Sequence, residues 1–262
     1  MRIFVFELIS EILCYRYALL QLVVQNLTLR YRRTVMGYFW TLLNPLLMMT
    51  IMALVFTNLF KANLNEFASF LFVGMIPWNF FNSVLSQSTG SLIFNEGIIK
   101  KIYIPKLLFP LSIAIAMFVD AVLAFLVLFP VILGLGGAFS WALLFLPVSF
   151  FLLFIFAFGF GIVASIATVY FRDLQYIIVI GLQGLFFLTP ILYKKEEMLG
   201  PVSGLIDFNP LSPFISIFRE PLLLGVLPSN SLLIKVSLLS FLSLFIGLYI
   251  FNQVKNKIVY RI

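Results

Sequence analysis

The sequence predicts an all-α integral membrane protein with six transmembrane helices, an N-terminal amphipathic helix and a re-entrant helical hairpin between the fifth and sixth spans. Three observations predict it. Of 262 residues, 63% are hydrophobic and 10% charged, against roughly 45–50% apolar and about 25% charged in a soluble domain. The charged positions divide the chain into stretches near the ~20 apolar residues that a spanning helix needs. The basic residues then fall unevenly on the two sides of those spans, as the positive-inside bias requires.

Residues 1–33 carry charges too often to span. Ile3, Phe4, Leu8, Ile12, Leu19, Leu22, Val23 and Leu27 recur loosely at helical spacing beside Glu7, Glu11, Arg16, Gln21 and Asn26. That pattern predicts an amphipathic helix lying along the cytoplasmic leaflet. Glu7, Glu11 and Arg16 also interrupt the first apolar stretch, so a removable secretory signal is not expected. Residues 34–262 are expected to form the membrane domain. Its spans are Val35–Phe60, Phe67–Gln87, Leu107–Leu133, Trp141–Tyr170, Leu174–Leu192 and Ser231–Asn252, with Pro130, Pro147 and the pair Gly159 and Gly161 as sites of kinking or shortening. Trp40, Trp78, Trp141, Tyr170 and Tyr193 are assigned to interfacial belts near span ends.

Six spans put both termini on one side. With the termini cytoplasmic, the inside holds twelve of the 17 basic residues and four acidic ones, while the outside holds five of each. Asp120 lies within the third span and completes a net charge of +7. The basic balance therefore reports orientation, and no basic groove with interleaved aromatics points to nucleic acid.

The loop Ser88–Lys106 is the longest cytoplasmic connection. It is expected to hold a short apolar helix around Ser91–Phe94, a break at Asn95-Glu96-Gly97, and the stretch Lys100-Lys101-Ile102-Tyr103 before Pro105. Ile98, Ile99, Ile102, Tyr103 and Ile104 are too apolar for a free linker and call for a surface to bury them, either the protein's own membrane-facing side or a separate cytoplasmic partner. On the outer side, Phe208–Val226 is apolar but broken by Pro210, Pro213, Pro221 and Gly225. It is too short to cross, so it reads as a re-entrant or interfacial pair of half-helices.

Several chemistries are excluded. The chain has no His, which removes the commonest metal ligand and the usual general base. A lone Cys14 permits no internal disulfide and reads as a small apolar filler. No phosphate-binding loop occurs, so this chain does not bind ATP by that motif. Asp120 is the one acidic group deep in a span, with a transport relay and a hydrogen-bonded structural role both open. Arg172-Asp173 and Glu196-Glu197 do not supply the paired groups of an intramembrane enzyme. By elimination the chain reads as a non-enzymatic membrane subunit driven by another protein.

Several local patterns then coincide. They are Leu29-Arg30-Tyr31-Arg32-Arg33-Thr34-Val35-Met36-Gly37-Tyr38-Phe39-Trp40-Thr41-Leu42-Leu43-Asn44-Pro45 ahead of and into the first span, Phe171-Arg172-Asp173-Leu174 before the fifth, Thr189-Pro190-Ile191-Leu192-Tyr193 at its end, and Asn209-Pro210 with Arg219-Glu220-Pro221 in the outer loop. In this order, over nearly the whole chain, they resemble the ABC-2 type permeases that export polysaccharides (O-antigen, capsule or teichoic acid).

The resemblance implies a pore subunit of the bacterial cytoplasmic (inner) membrane. Two copies would pair, through the first and fifth spans, around a continuous channel, and two separate P-loop ATPase chains would bind ATP and Mg from the cytoplasm. Residues 1–33 become the interface helix. The loop 88–106 becomes the coupling loop, with Asn95, Glu96, Gly97, Ile98, Ile99, Lys100, Lys101, Ile102 and Tyr103 as the ATPase contact. Phe208–Val226 becomes the outer gate, with Asn209, Pro210, Phe214, Phe218 and Arg219 in it. The substrate implied is a polysaccharide on undecaprenyl diphosphate. Arg30, Arg32 and Arg33 at the inner headgroup level would attract the diphosphate, since planar guanidinium donors match phosphate oxygens. Tyr38, Phe39, Trp40, Phe186 and Phe187 are the channel-lining candidates, because aromatic rings give sugar faces a flat surface without fixed register. An ABC-2 permease for a small lipid or drug is the alternative.

Overall fold

The computed structural model describes residues 10–31, 39–61, 63–194, 204, 206, 208–258 and 261–262. Arg32, Arg33 and Tyr38 lie outside the described residues, as do most of 195–207 and the side chain of Arg30. Among the described residues the regular structure is entirely helical. The elements in order are α1 (Arg16–Tyr31), α2 (Phe39–Phe60), α3 (Leu64–Ser88), α4 (Glu96–Lys101), α5 (Leu108–Gly134), a 3₁₀ turn (Trp141–Phe145) leading into α6 (Leu146–Tyr170), α7 (Leu174–Leu188), α8 (Ser212–Arg219), a π turn (Glu220–Leu224) and α9 (Asn230–Val254).

Four of these, α3, α5, α6 with its 3₁₀ turn, and α9, are long and apolar enough to cross a membrane. Two shorter apolar stretches are Leu43–Leu59 within α2, and α7. The fifth expected span ends four residues early, at Leu188. Pro190 offers no amide hydrogen to continue the ladder, and the buried Thr189 hydroxyl turns back to the Leu185 carbonyl at 2.6 Å. Several helices start on polar caps: Asn63 accepts from the Asn65 amide and Ser229 from the Leu232 amide.

Lipid tails are as apolar as leucine, so helices in a membrane associate through close van der Waals fit and interhelical hydrogen bonds. The α6–α9 pair uses both. Gly247 lies against Gly159, where a Cβ on Gly247 would sit 2.7 Å from the Gly159 carbonyl oxygen. Nearby, Ser240 Oγ donates to the Leu152 carbonyl at 2.8 Å and Ser243 Oγ to the Phe156 carbonyl at 3.2 Å. α6 runs unbroken, so Gly159 and Gly161 do not kink it; they admit α9 and the Ser88 side chain respectively. Pro147 sits in the first turn of α6, where its missing amide costs nothing.

α3 is the central helix, packed on α2, α5, α6 and α8 and buried along most of its length. Trp78 lies in its middle, buried, with its ring 5.4 Å from Phe186; it is a packing residue, not an interfacial anchor. A phenylalanine network fills the space between α3, α5, α6 and α8. Phe150 meets Phe118, Phe125 and Phe218, while Phe156 meets Phe81, Phe160 and Phe214, mostly in edge or tilted arrangements. Much of the phenylalanine excess is therefore core. Cys14 is exposed and fills no gap.

α1 crosses the start of α5, with Leu22 and Val23 buried and Asn26 Nδ2 donating to Ser112 Oγ at 3.1 Å. Its opposite face exposes Tyr17, Leu20 and Val24, continued one turn earlier by Leu13. This helix is apolar on both sides, as a segment resting between protein and lipid must be.

Candidate functional sites

At one end of the bundle the chain leaves α3 through a run of turns, 89–95, and forms α4. The expected break at Asn95-Glu96-Gly97 does not occur: the Asn95 carbonyl accepts from the Ile98 and Ile99 amides, both at 3.0 Å, and Glu96 and Gly97 are the first helical residues. The turn ahead of it is held by Ser91 Oγ donating to the Ser88 carbonyl and Asn95 Nδ2 donating to the Ser91 carbonyl. The Ser91–Phe94 stretch is thus turn, not helix. Within α4, Lys100 Nζ sits 2.6 Å from Glu96 Oε1. The bond to Lys100, then its charge, holds the Glu96 carboxyl below its ordinary range.

α4 and the residues that follow it divide between anchor and surface. Ile99 is buried against the bundle, whereas Lys100, Lys101, Ile102 and Tyr103 are exposed, Tyr103 at 73%. Phe94, one residue before the expected contact, is 81% exposed. Sequence reasoning missed it because an aromatic in an apolar run looks inward-facing. Tyr103 also meets the ring of Tyr15, with centroids 6.4 Å apart, which links this loop to the segment preceding α1. Lys106 donates to the Lys255 carbonyl at 2.8 Å, tying the loop to the end of α9. Burial, then the Lys255 charge, lowers the Lys106 ammonium pKa.

The opposite end carries the residues that the sequence assigns to the outer loop. The segment 208–226 contains α8, its direct continuation into the π turn, and Gly225 in the left-handed region at φ 69°. The C-terminal carbonyls of α7 lack helical partners, and residues of this segment supply donors. Asn209 Nδ2 donates to Thr189 Oγ1 at 2.8 Å and to the Leu188 carbonyl at 3.2 Å, while its Oδ1 accepts from the Leu211 amide. The Arg219 guanidinium donates to the carbonyls of Pro190, Ile191 and Phe70 and lies 3.5 Å from the Phe70 ring centroid. A cation at the negative end of α7 is favoured by the helix dipole as well.

The two asparagine and arginine positions therefore meet at one junction with Thr189. Pro210 is half-buried beside it. Phe214 and Phe218 do not join them: both are fully buried in the phenylalanine network, on Phe156 and Phe150. Of the channel-lining candidates, Phe39, Trp40 and Phe187 are exposed, and Phe186 packs between Phe187 and Trp78. α7 buries only Leu182, leaving Tyr176, Ile177, Val179, Ile180 and Phe187 uncovered.

A helical bundle with four membrane-length helices, a short helix at one end and a pinned loop at the other defines a multi-pass membrane protein. The chain belongs to the ABC-2 type transporter family, whose profile matches residues 17–223. Among its relatives is an O-antigen export system permease protein RfbA of Klebsiella pneumoniae, 32% identical over 239 residues, covering 89% of this chain and 90% of that protein. An RfbA of Myxococcus xanthus is 27% identical, with 96% and 97% covered. The polysialic acid transport protein KpsM of Escherichia coli is 24% identical over 88% and 91%.

Proposed function

We propose that this chain is the permease subunit of an ABC exporter that moves a lipid-linked polysaccharide out across the bacterial cytoplasmic (inner) membrane. Two copies form the channel, and two P-loop ATPase chains holding ATP and Mg drive it from the cytoplasm. The similarity to O-antigen and polysialic acid exporters over about nine-tenths of the chain favours a polymer over a small lipid or drug. In this reading both termini are cytoplasmic, α2 and α7 complete six spans, and α1 with the preceding residues is the interface helix.

One observation carries the reading: α4 and its flanks present Phe94, Lys100, Lys101, Ile102 and Tyr103 outward while Ile99 anchors the helix inward. An exposed apolar patch with charged edges, on a loop around a short helix and tied to the end of α9 through Lys106, suits a partner that pushes. The outer junction of Asn209 and Arg219 then couples α7 to the re-entrant segment that caps the channel. Arg30, Arg32 and Arg33 meet the diphosphate of the lipid carrier.

The test is co-purification with the ATPase alongside immunoblotting of cell-surface polysaccharide. Tyr103→Asp with Ile102→Asp should abolish both while leaving the permease folded in the membrane. Retained ATPase binding in that double variant removes the α4 loop as the docking element. Surface polysaccharide that persists when the gene is deleted overturns the export reading itself.

A further inference from the structure

The loop that carries α4 is joined by its main chain to α3 and α5, whereas α9 ends beside it without a chain connection. A displacement of the loop therefore travels along the chain into α3 and α5, but reaches α9 only through non-covalent contact. Lys106 makes such a contact. Its root is fixed, because Pro105 and Leu107 on either side are buried and its carbonyl accepts from the Phe109 amide at 3.3 Å as α5 begins. From there the partly buried side chain crosses to the end of α9, where Nζ donates to the Lys255 carbonyl at 2.8 Å. Carbonyls at that end of a helix have run out of helical partners, and a cation there suits the helix dipole.

The residues after α9 fold back as a turn. The Lys257 amide donates to the Val254 carbonyl at 2.8 Å and the Ile262 amide to the Ile258 carbonyl at 3.1 Å, and Ile258 is fully buried. The Arg261 guanidinium lies 5.6 Å from the ring centroid of Tyr170, the last residue of α6, inside cation–π reach. This end of α9 thus touches both the α4 loop and α6. α6 and α9 are in turn locked together by Gly159, Gly247, Ser240 and Ser243, so they shift as a pair. α6 then bears on α8: Phe150 and Phe156 pack on Phe218 and Phe214, and Ser149 Oγ donates to the Ile217 carbonyl at 3.3 Å. A continuous run of packed and hydrogen-bonded groups leads from the loop through α9 and α6 to the far end of the bundle.

We infer that Lys106 is a positioning residue for transport, a strut that passes displacement of the α4 loop to the α6–α9 pair and so to α8. The inference rests on the reading that an ATPase drives this loop, and it adds the route by which the push leaves α3 and α5. Burial and the neighbouring Lys255 charge both act against the Lys106 ammonium, which offsets part of what a charged hydrogen bond contributes. The fold therefore depends on this bond only weakly, while the geometry of the loop relative to α9 depends on it directly.

The experiment uses the full permease purified with its ATPase subunits in nanodiscs, and follows amide exchange with and without ATP and Mg. In the wild type, residues 96–104 should be protected relative to the permease alone, and ATP should change exchange in residues 251–258 as well. Lys106→Met keeps the stem and removes the donor. It should retain the response at 96–104 and lose the one at 251–258. Surface polysaccharide in cells should fall about two- to thirtyfold, the range for residues that carry coupling, while ATP turnover in nanodiscs stays at the wild-type level. Co-purification should be unchanged and the melting temperature within about 4 °C of the wild type. Lys106→Arg keeps a charged donor and should restore the surface polysaccharide. A Lys106→Met protein that sheds the ATPase or melts further below the wild type makes Lys106 a structural brace and overturns the strut, as does unchanged surface polysaccharide. Should Lys106→Met not insert, wild-type exchange decides: a response to ATP at 251–258 supports the strut and indifference there overturns it. If the ATPase leaves 96–104 unprotected, the docking reading itself fails; protection there with 251–258 silent fails the strut alone.

Discussion

Arg219, the last residue of α8, donates to the carbonyl oxygen of Pro190 at 2.7 Å, so the helix after the fifth apolar segment is fastened to that segment's own end. The same guanidinium reaches Ile191 and Phe70, and Gly74 makes room for it: a Cβ there would lie 2.8 Å from a guanidinium nitrogen. One planar cation thus joins α3, α7 and α8. Lysine keeps the charge but has no fork to serve three carbonyls.

Arg219→Lys is expected to cost about 2 kcal/mol, from charged hydrogen bonds of about 1.5–3 kcal/mol each, partly replaced. The melting temperature of the purified permease should fall by about 4–8 °C. Gly74→Ala should give a smaller fall by displacing the guanidinium. An Arg219→Lys protein melting like the wild type would show that this junction is not what holds α8.

The sequence made some of this junction visible and hid the rest. Asn209-Pro210 and Arg219-Glu220-Pro221 stand out because prolines and polar residues interrupt an apolar run. Their partners do not stand out, since the acceptors described for Arg219 are three main-chain carbonyls, and any residue could supply those. Phe214 and Phe218 share the same short stretch, yet helical spacing turns them into the core. The helices themselves were legible from hydropathy to within a few residues. α4 was misplaced because Asn-Glu-Gly resembles a turn, while the Glu96–Lys100 pair four residues apart supports a helix there.

At the α6–α9 contact, Gly159→Ala should be more damaging than its size suggests. The added methyl meets the backbone of Ser243 and Leu244, which a helix cannot withdraw without moving as a whole. Overpacking of this kind costs about 1–3 kcal/mol. The expected melting loss is about 2–12 °C, and Gly159→Ala combined with Gly247→Ala should lose less than the sum of the two, because both relieve strain by one separation of the helices. Additive losses would mean that the helices yield independently at each site.

The Glu96–Lys100 pair gives α4 a pH dependence of known sign. Because the folded carboxyl titrates below its unfolded value, the pair's contribution is present above the unfolded value, near 4.3. It is lost as pH falls through the folded one. Amide exchange of residues 96–101 should therefore be slower in wild type than in Glu96→Gln at pH 7, by under about threefold for one exposed helical pair. The two proteins should converge when both are compared at pH 3. A ratio that is constant across that range would place the protection elsewhere.

Gly181 and Gly184 on α7 separate the two roles a glycine takes in this protein. A Cβ at either position meets nothing within 4 Å in the single chain, unlike Gly159 and Gly247. The fold of one chain thus does not require glycine there, and α7 leaves most of its apolar surface uncovered. Close helix approach needs small residues, so a second copy seated on α7 would feel what the single chain does not. Gly181→Leu with Gly184→Leu should leave the melting temperature of the solubilised single chain within about 2 °C, since a leucine on an open apolar surface displaces only lipid or detergent. Particle mass measured in nanodiscs should shift from two permease chains to one. A double variant that remains dimeric and melts normally would move the pairing surface off α7 and leave α2, with Leu47, Ile51, Leu54 and Val55 exposed along it, as the face to mutate next.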